Sequence, residues 1–274
     1  MHASTPQPRH LRMSEGLILS LFPGIDLLGR GFELEGYCVV RGPDPAIGQS
    51  DVRDFNPPPR FDGIIAGSPC QDFSRLRRDP PSGEGAAMLR EFIRIVRGCG
   101  PKWWLLENVP TVPDVLIDGY SHQRIDLSAN EFGLRQRRLR HFQFGSRLTG
   151  CLSIARGEAV PATEPCAVAS EGEKALRRSW GDFCALQGLE PDFEIPYFTL
   201  SAKYRAVGNG VPIPMGRAMA RAIKAFEYGK FPDRVCACGC GREVEGKQRS
   251  ATPACRKRLS RRSQRKEESP ADVA

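Results

Sequence analysis

The chain has 274 residues, of which 40% are hydrophobic and 26% are charged, an ordinary balance for a globular protein. No apolar run is long enough to cross a bilayer, and the proline-broken opening MHASTPQPRHLRMSEG has no apolar segment of the signal-peptide type, so we expect a cytoplasmic protein. Residues 230–266 hold 12 Lys or Arg and 3 Asp or Glu, whereas the rest of the chain holds 28 and 29. This basic tail predicts contact with a polyanion, or else is simply a solvated tail.

The apolar segments predict short strands that alternate with helices. The predicted strands are GLILSLF (16–22), YCVV (37–40), GIIAG (63–67), WWLLEN (103–108) and HFQFG (141–145). A helical stretch follows Asp26, apolar residues recur at helical spacing at positions 89, 92, 93 and 96, and Pro214 begins a later helix. This order of elements predicts an α/β fold, in which a mostly parallel sheet is covered by helices on both faces.

Residues that can carry chemistry follow four of the predicted strands. They are Gly24, Asp44, the pair Pro69-Cys70 and the pair Glu107-Asn108. Ligands of such sheets bind beyond the carboxyl ends of the strands. We therefore expect these residues to meet at one edge of the sheet.

Composition divides the chain into five segments. We expect a polar N-terminal extension (1–15), a core (16–145), a low-periodicity insert (146–195), a return to the core (196–230) and a Cys-rich basic tail (231–274). Four of the ten cysteines lie in that tail. Disulfides are rare in a reducing compartment, so the clustered cysteines favour metal binding or reactivity.

Cys70, Glu107 and the pair Arg138 and Arg140 each have a structural and a chemical interpretation. Cys70 is a packed core thiol, half of a disulfide or a nucleophile, which must be a thiolate to react. Glu107 is a loop carboxylate or a desolvated acid that holds a proton near neutral pH. Arg138 and Arg140 are two residues apart, so they lie on the same face where the strand begins. They are either a charged edge or groups that hold a carbonyl oxygen and a phosphate. Together they fit thiolate addition to carbon 6 of a cytosine ring, which makes carbon 5 nucleophilic toward an electrophilic methyl group.

Residues 16–226 resemble the cytosine-5 DNA methyltransferases in the content and the order of their motifs. The matching segments are LFPGIDLLGRGFE (21–33), GSPCQDFS (67–74), LLENVP (105–110), LRQRRLRHFQFG (134–145) and YRAVGNGVP (204–212). The resemblance implies a Rossmann-like methyltransferase sheet, S-adenosylmethionine as cofactor, double-stranded DNA as partner and a target base flipped out of the duplex. It implies that Cys70 is the nucleophile, that Glu107 is the acid that activates the ring, and that Arg138 and Arg140 position the target.

The resemblance also implies which residues meet the cofactor and the DNA. Residues 16–145 become the cofactor-binding and catalytic core, and 146–195 a short target-recognition insert. The implied cofactor-binding residues are Phe22, Gly24, Asp44, Asp51, Val52, Pro69, Asn209 and Val211. Asp44 lies at the distance from Gly24 that suits a ribose-binding carboxylate, although a Pro-Asp-Pro turn is the alternative. Gln71 and the loop after it (72–85) are expected to close on DNA, with Gln71 and Ser74 in contact with it.

Three residues, at two sites, depart from the family pattern. Asp26-Leu27 stand where a pair of glycines is usual, and Ser68 stands where a second proline is common. We therefore expect the loop after the first strand to be shaped differently.

The tail offers a metal site and a DNA-binding surface. Cys236, Cys238, Cys240 and Cys255 provide four thiols, enough for a tetrahedral zinc site, although one of the first three is a bystander in an alternative interpretation and a disordered basic tail is another. The positively charged residues expected to lie along DNA phosphates are Arg256, Lys257, Arg258, Arg261 and Arg262.

Two alternatives for the function stay open at this point. One is a transfer RNA cytosine-5 methyltransferase, which would share the fold and the motifs. The other is a catalytically dead DNA-binding homologue. For the DNA enzyme we expect a monomer in a bacterial or phage-infected cell, paired functionally with a cognate restriction endonuclease or acting alone.

Overall fold

The computed structural model describes residues 16–45, 50–74, 77, 79–230, 232 and 234–267, with side chains described as far as residue 260. The predicted extension at 1–15 lies outside the described residues. None of the helices within these ranges has both the length and the apolar character needed to span a membrane.

Six strands form one sheet, in the order β2-β1-β3-β4-β6-β5. The strands are β1 (Leu17–Leu21), β2 (Cys38–Arg41), β3 (Gly63–Gly67), β4 (Trp103–Asn108), β5 (Gln123–Ser128) and β6 (Leu139–Ser146). The helices of the described residues are α1 (Leu27–Glu33), α2 (Glu84–Cys99), α3 (Trp180–Leu186), α4 (Leu200–Asn209), α5 (Ile213–Glu227) and α6 (Pro253–Glu267). All five predicted strands are present, whereas β5 was not predicted, and the expected α/β fold is confirmed.

Helices cover both faces of the sheet. On one face α1 and α5 pack against a cluster that includes Ile18, Leu105 and Met219. On the other face α2 places Phe92 against Trp104, with their ring centroids 5.7 Å apart. The amphipathic spacing of α2 predicts this packing, and Gly100 ends the helix in the left-handed conformation that glycine adopts easily.

Two tryptophans of β4 lie across glycines of the neighbouring strands. An added Cβ at Gly63 of β3 would stand 2.3 Å from the Trp103 ring, and one at Gly145 of β6 would stand 2.2 Å from the Trp104 ring. Each glycine is therefore required by the indole opposite it in the register.

The strand β6 runs antiparallel to both of its neighbours, which differs from the parallel arrangement of β1 to β4. Asn108, the last residue of β4, pairs with His141 near the start of β6. This reversal brings the residues before and at the start of β6 to the same edge as the carboxyl ends of β3 and β4. That edge holds the candidate site.

The predicted insert is partly helical and joins the returning core. Phe183 of α3 packs against Tyr204 of α4, with ring centroids 4.7 Å apart, and both side chains are buried. Leu152 and Ile154, from the irregular part of the insert, belong to the main core beside β5 and β6.

Candidate active site

The cysteine after β3 lies in a short turn that is tied to the end of β4. Asn108 is buried, and its side-chain amide donates to the Ser68 carbonyl at 3.1 Å and to the Ser68 hydroxyl at 2.8 Å. Cys70 follows within two residues, and its carbonyl accepts from the backbone N–H of Phe73 at 3.0 Å. The amide clamp therefore holds the segment before Cys70 against the strand that carries Glu107.

Glu107 is a buried acid paired with an arginine. The residue is 6% exposed, and Arg140 Nε stands 3.0 Å from Glu107 Oε1. The other oxygen, Oε2, lies 3.7 Å from the position of a Cβ added at Gly67. Burial raises the pKa of the Glu107 carboxyl, and the positive charges of Arg140 and Arg138 oppose that rise.

Cys70, half-buried, lies within electrostatic reach of the same three charges. Burial raises the pKa of the Cys70 thiol, and the negative charge of Glu107 raises it further. Arg140 and Arg138 oppose the shift. Because a protonated Glu107 would no longer raise the thiol pKa, the protonation of the acid favours formation of the thiolate.

Arg138 is buried and donates to backbone carbonyls of distant segments. Its guanidinium donates to Ala167 at 2.6 Å, to Gly208 at 2.7 Å and to Gly210 at 2.9 Å. Burial lowers the pKa of Arg138 to about 9. The predicted pair of arginines thus differs in contacts: Arg140 pairs with the acid, whereas Arg138 ties the insert and the GNG motif to the start of β6.

The loop after β1 approaches the same place from the other side. Phe22 and Gly24 both have positive φ, of 53° and 51°, and the Gly24 N–H donates to Asp44 Oδ2 at 2.7 Å. The Phe22 carbonyl lies 3.9 Å from a Cβ added at Gly67, so the loop reaches the strand next to Glu107. Gly67 therefore lies between the predicted cofactor loop and the predicted acid.

Asp26 explains the departure from the family pattern in this loop. It caps α1 in the left-handed conformation, with φ of 56°, where glycine is the easier residue. Its buried carboxylate accepts from Ser20 Oγ at 2.8 Å and from the Gly29 N–H at 3.0 Å, and it pairs with Arg41 Nε at 2.9 Å. These contacts stabilise a conformation that a non-glycine residue seldom adopts.

This edge has the features that S-adenosylmethionine needs. An added Cβ at Gly24 would meet no atom within 4 Å, so the surface above the loop is open to a ligand. Asp44 offers a carboxylate at the neighbouring strand end. The residues present therefore fit the cofactor that the resemblance implies.

The other predicted cofactor residues differ in their exposure. Asp51 accepts from the Arg53 N–H at 2.9 Å and caps a short turn in which Val52 is buried. Pro69 is half-buried before Cys70, Asn209 is exposed at the end of α4, and Val211 is buried. Asn209 is thus accessible, whereas Val52 and Val211 are buried in different hydrophobic clusters.

The loop after Cys70 is organised by a carboxylate that the sequence did not single out. Asp72 accepts from the Ser82 N–H at 2.8 Å and from the Gly85 N–H at 2.8 Å, which joins the two ends of the loop. Gln71 is exposed and Ser74 is half-buried. Arg75 and Arg78, which the sequence places close behind Cys70, lie outside the described residues.

The C-terminal module, residues 234–267, brings all four tail cysteines together. Their sulfurs lie within 4.8 Å of one another, and each side chain is buried. Arg256 and Lys257 are exposed on α6, and Arg258 Nη1 stands 3.7 Å from Asp126 Oδ2 on β5. Arg261 and Arg262 belong to the same helix, and their side chains lie outside the described residues.

Sequence reasoning missed three polar residues that organise the site. Gln136 is fully buried, accepts from the Ala167 N–H at 2.9 Å and donates to the Leu186 carbonyl, which ties the insert to the segment before β6. Glu131 pairs with Arg156 and Arg242, and His141 lies 2.7 Å from Asp126. Their long-range roles could not be inferred from local patterns, since the Ser128–Glu131 capping box predicts only the turn at Glu131, and the partners that organise the site are distant in the sequence.

Residues 43–115, which include Cys70 and Glu107, match the family model of the C-5 cytosine-specific DNA methylases. The Type II methyltransferase M.NgoFVII of Neisseria gonorrhoeae is 31% identical over 163 residues, covering 48% of this chain and 44% of the relative. The Type II methyltransferase M.FnuDI of Fusobacterium nucleatum is 30% identical over 163 residues, covering 47% and 46%. The aligned segments therefore span less than half the length of these relatives.

Solved structures share the fold at low identity. The Entamoeba histolytica methyltransferase EhMeth has a TM-score of 0.61 at 12% identity, covering 79% of this chain and 99% of that one. The S. pombe Dnmt2 methyltransferase has a TM-score of 0.56 at 11% identity, covering 77% and 99%. The family resemblance is confirmed by the family model and the relatives, and the fold by the solved structures.

Proposed function

We propose that this chain, which carries the C-5 cytosine methyltransferase domain, transfers a methyl group from S-adenosylmethionine to carbon 5 of a flipped-out cytosine in DNA. The observation that carries the proposal is the meeting of a thiol, a buried acid and an arginine at one edge of the sheet. Cys70 follows β3, and Glu107 is the last residue but one of β4. Arg140, near the start of β6, pairs with that acid at a distance of 3.0 Å.

Cys70 is proposed to act as the nucleophile. Its thiolate forms a carbon–sulfur bond with carbon 6 of the cytosine ring, and carbon 5 then accepts the methyl group. Solvent water then takes the proton from carbon 5, the electrons of that bond re-form the double bond between carbons 5 and 6, and the carbon–sulfur bond breaks to regenerate the thiolate. S-adenosylmethionine, when bound, supplies the electrophilic methyl group.

Glu107 is proposed to activate the ring. Burial raises the pKa of its carboxyl, so the group is suited to hold a proton and hydrogen-bond ring nitrogen 3 of the cytosine. Arg140 fixes the orientation of the acid through Oε1. Arg138, with its guanidinium on three backbone carbonyls, is proposed as a positioning residue that holds the insert and the GNG motif at the site.

The cofactor is proposed to lie over the loop after β1. Phe22 and Gly24 would approach its methionine part, Asp44 its ribose, and Asp51 with Val52 its adenine. Pro69, Asn209 and Val211 would complete the pocket. Gly67 lies between the Phe22 carbonyl and Glu107 and is close to both. A methyl group held over the loop after β1 would therefore lie near the base that the acid binds.

DNA is proposed to approach the same edge and the basic helix α6. Gln71 and Ser74, beside Cys70, would contact the target strand. The residues proposed to neutralise phosphates are Arg256, Lys257, Arg258, Arg261 and Arg262. A cognate restriction endonuclease remains a proposed functional partner, in keeping with the Type II methyltransferases among the relatives.

Covalent trapping on a 5-fluorocytosine duplex tests the proposal. Fluorine at carbon 5 cannot leave as a proton does, so the carbon–sulfur bond persists and a protein–DNA band survives denaturing electrophoresis when cofactor is present. The Cys70→Ser variant should give no such band and no methyl transfer, while cofactor binding stays close to that of the wild type. The exposed Cys38→Ser variant is the matched control and should still be trapped.

The choice between DNA and RNA is tested in a methyl-transfer assay. DNA and RNA duplexes of matched sequence are offered with radiolabelled cofactor, and label is expected in the DNA. Incorporation into RNA alone would replace the DNA substrate with an RNA substrate, and a wild-type protein that binds DNA without ever trapping would be a non-catalytic homologue.

A further inference from the structure

The four tail cysteines have the spacing of a filled tetrahedral metal site. The sulfurs of Cys236 and Cys238 are 3.5 Å apart, those of Cys240 and Cys255 are 3.8 Å apart, and all four lie within 4.8 Å of one another. A zinc–sulfur bond of about 2.3 Å places the sulfurs of a regular tetrahedron about 3.8 Å apart. No cysteine of the four is a bystander in this arrangement.

Neighbouring groups donate hydrogen bonds to these sulfurs. The Ala251 N–H lies 3.3 Å from Cys236 Sγ, and the Thr252 hydroxyl lies 3.1 Å from Cys255 Sγ. Cys255 is in the first turn of α6, at the end of the helix that carries a partial positive charge. Donors around the sulfurs and a positive helix end are what a set of metal-bound thiolates requires.

The module has too few apolar residues to fold around a core of its own. Among the described residues, only Val244, Ala251 and Leu259 pack against the four cysteines. Segments of this size generally need a metal or disulfides in place of a core. We propose that Cys236, Cys238, Cys240 and Cys255 bind one zinc ion, and that this ion folds the C-terminal module onto the catalytic core.

Glu131 is the residue that receives the folded module. It lies in the turn between β5 and β6, and its two oxygens pair with Arg156 Nη1 at 2.7 Å and with Arg242 Nη2 at 2.5 Å. Arg156 also donates to the Cys240 carbonyl, and the Ile154 N–H donates to the Gly241 carbonyl at 3.0 Å. The zinc-binding loop therefore contacts the core directly, and the start of α6 is fixed beside β5.

Metal analysis of the full chain, purified without chelator, tests this inference. We expect about one zinc per chain, as for a closed four-thiolate site. The Cys255→Ser variant should lose most of the metal, whereas Cys38→Ser, which removes an exposed thiol far from the module in sequence, should keep it. Cobalt substitution of the wild type should give the visible absorption typical of tetrahedral thiolate coordination.

A second readout covers the case in which Cys255→Ser disturbs folding. Limited proteolysis of the wild type is followed with a chelator and after re-addition of zinc or magnesium, and zinc alone should restore protection of residues 234–260. A reduced wild-type protein free of metal would overturn the proposal. So would two disulfides found by mass spectrometry of the unreduced chain, and neither result depends on methyl transfer.

Discussion

The catalytic edge and the C-terminal module are built by different means. At the catalytic edge, backbone pairing sets the positions: Gly67 is in register with Glu107, and Asn108 is in register with His141. In the module, among the described residues, pairing of the strand type is limited to one isolated bridge between Val235 and Glu243, and single backbone hydrogen bonds and side-chain contacts make up the rest. The acid is therefore positioned by the sheet itself, whereas the proposed DNA-binding helix depends on a few contacts with the core and on the proposed metal.

The largest effect is expected at Glu107. Glu107→Gln keeps the shape of the side chain but removes its proton-donating function, so methyl transfer should fall by about 10²–10⁴-fold in a saturating radiolabel assay. The same change removes a negative charge that raises the Cys70 pKa. Alkylation of Cys70 in the absence of DNA should therefore become faster, at pH values where wild-type Glu107 is ionised.

The matched control for that change is Glu84→Gln, which removes an exposed carboxylate paired with Arg53. Wild-type rates of transfer and of alkylation are expected. If Glu107→Gln transferred methyl groups at the wild-type rate, the position that the sheet register gives Glu107 would have no role in catalysis.

A smaller effect is expected on DNA binding by the module. Arg256→Ala combined with Lys257→Ala removes two exposed charges of α6, so the slope of log affinity against log salt should decrease by about two. Affinity should fall for all duplex sequences alike, because phosphate contacts do not read bases. The rate at saturating DNA should stay unchanged.

Arg60→Ala combined with Arg97→Ala removes the same charge from the opposite edge of the sheet. Both side chains are exposed, and they lie before β3 and near the end of α2. This control should leave the salt slope as it is in the wild type. If the two double variants gave the same salt slope, the exposed charges of α6 would make no specific contribution to DNA binding.

The smallest effect is expected where the two regions meet, at His141. Burial lowers the pKa of this imidazole, although Asp126 at 2.7 Å opposes the shift. The folded chain therefore keeps the ring neutral, while the unfolded chain gains a proton as the pH falls below about 6.5. Stability from this group is complete above that pH and is lost as the pH falls toward the folded pKa.

His141→Gln should therefore lose less stability than the wild type between about pH 7.5 and pH 5.5, by about 1 kcal/mol or less in unfolding experiments. The control is His122→Gln, which changes another histidine that contacts Gln143 on β6. A pH profile of His141→Gln that follows the wild type would rule out a contribution from this contact to acid sensitivity.

Much of the catalytic edge could be predicted from the sequence, because apolar strands and the residues after them are local patterns. The strands 63–67 and 103–108 agree with the prediction residue for residue. β5 was missed because QRIDLS mixes charged and apolar residues, and it is stabilised by pairing with β6 rather than by its own pattern. The antiparallel direction of β6 is likewise set by pairing between strands.

The remaining contacts could not be predicted, because they join segments far apart in the chain. Arg138 belongs to a motif that predicts a role at the target, yet its guanidinium donates to carbonyls 29 to 72 residues away. Glu131 meets Arg242 across 111 residues. The four cysteines could be predicted as a metal site by their chemistry, whereas their docking on the core could not.

The indoles of Trp103 and Trp104, packed across Gly63 and Gly145, also determine what an optical experiment can observe. Both rings are buried and belong to β4, the strand that carries Glu107, and the third tryptophan, Trp180, lies in α3. The chain from residue 231 onward has no tryptophan. Intrinsic emission therefore reports melting of the sheet and its insert, and a detached C-terminus would be spectroscopically silent unless a dye or a mass label were placed there.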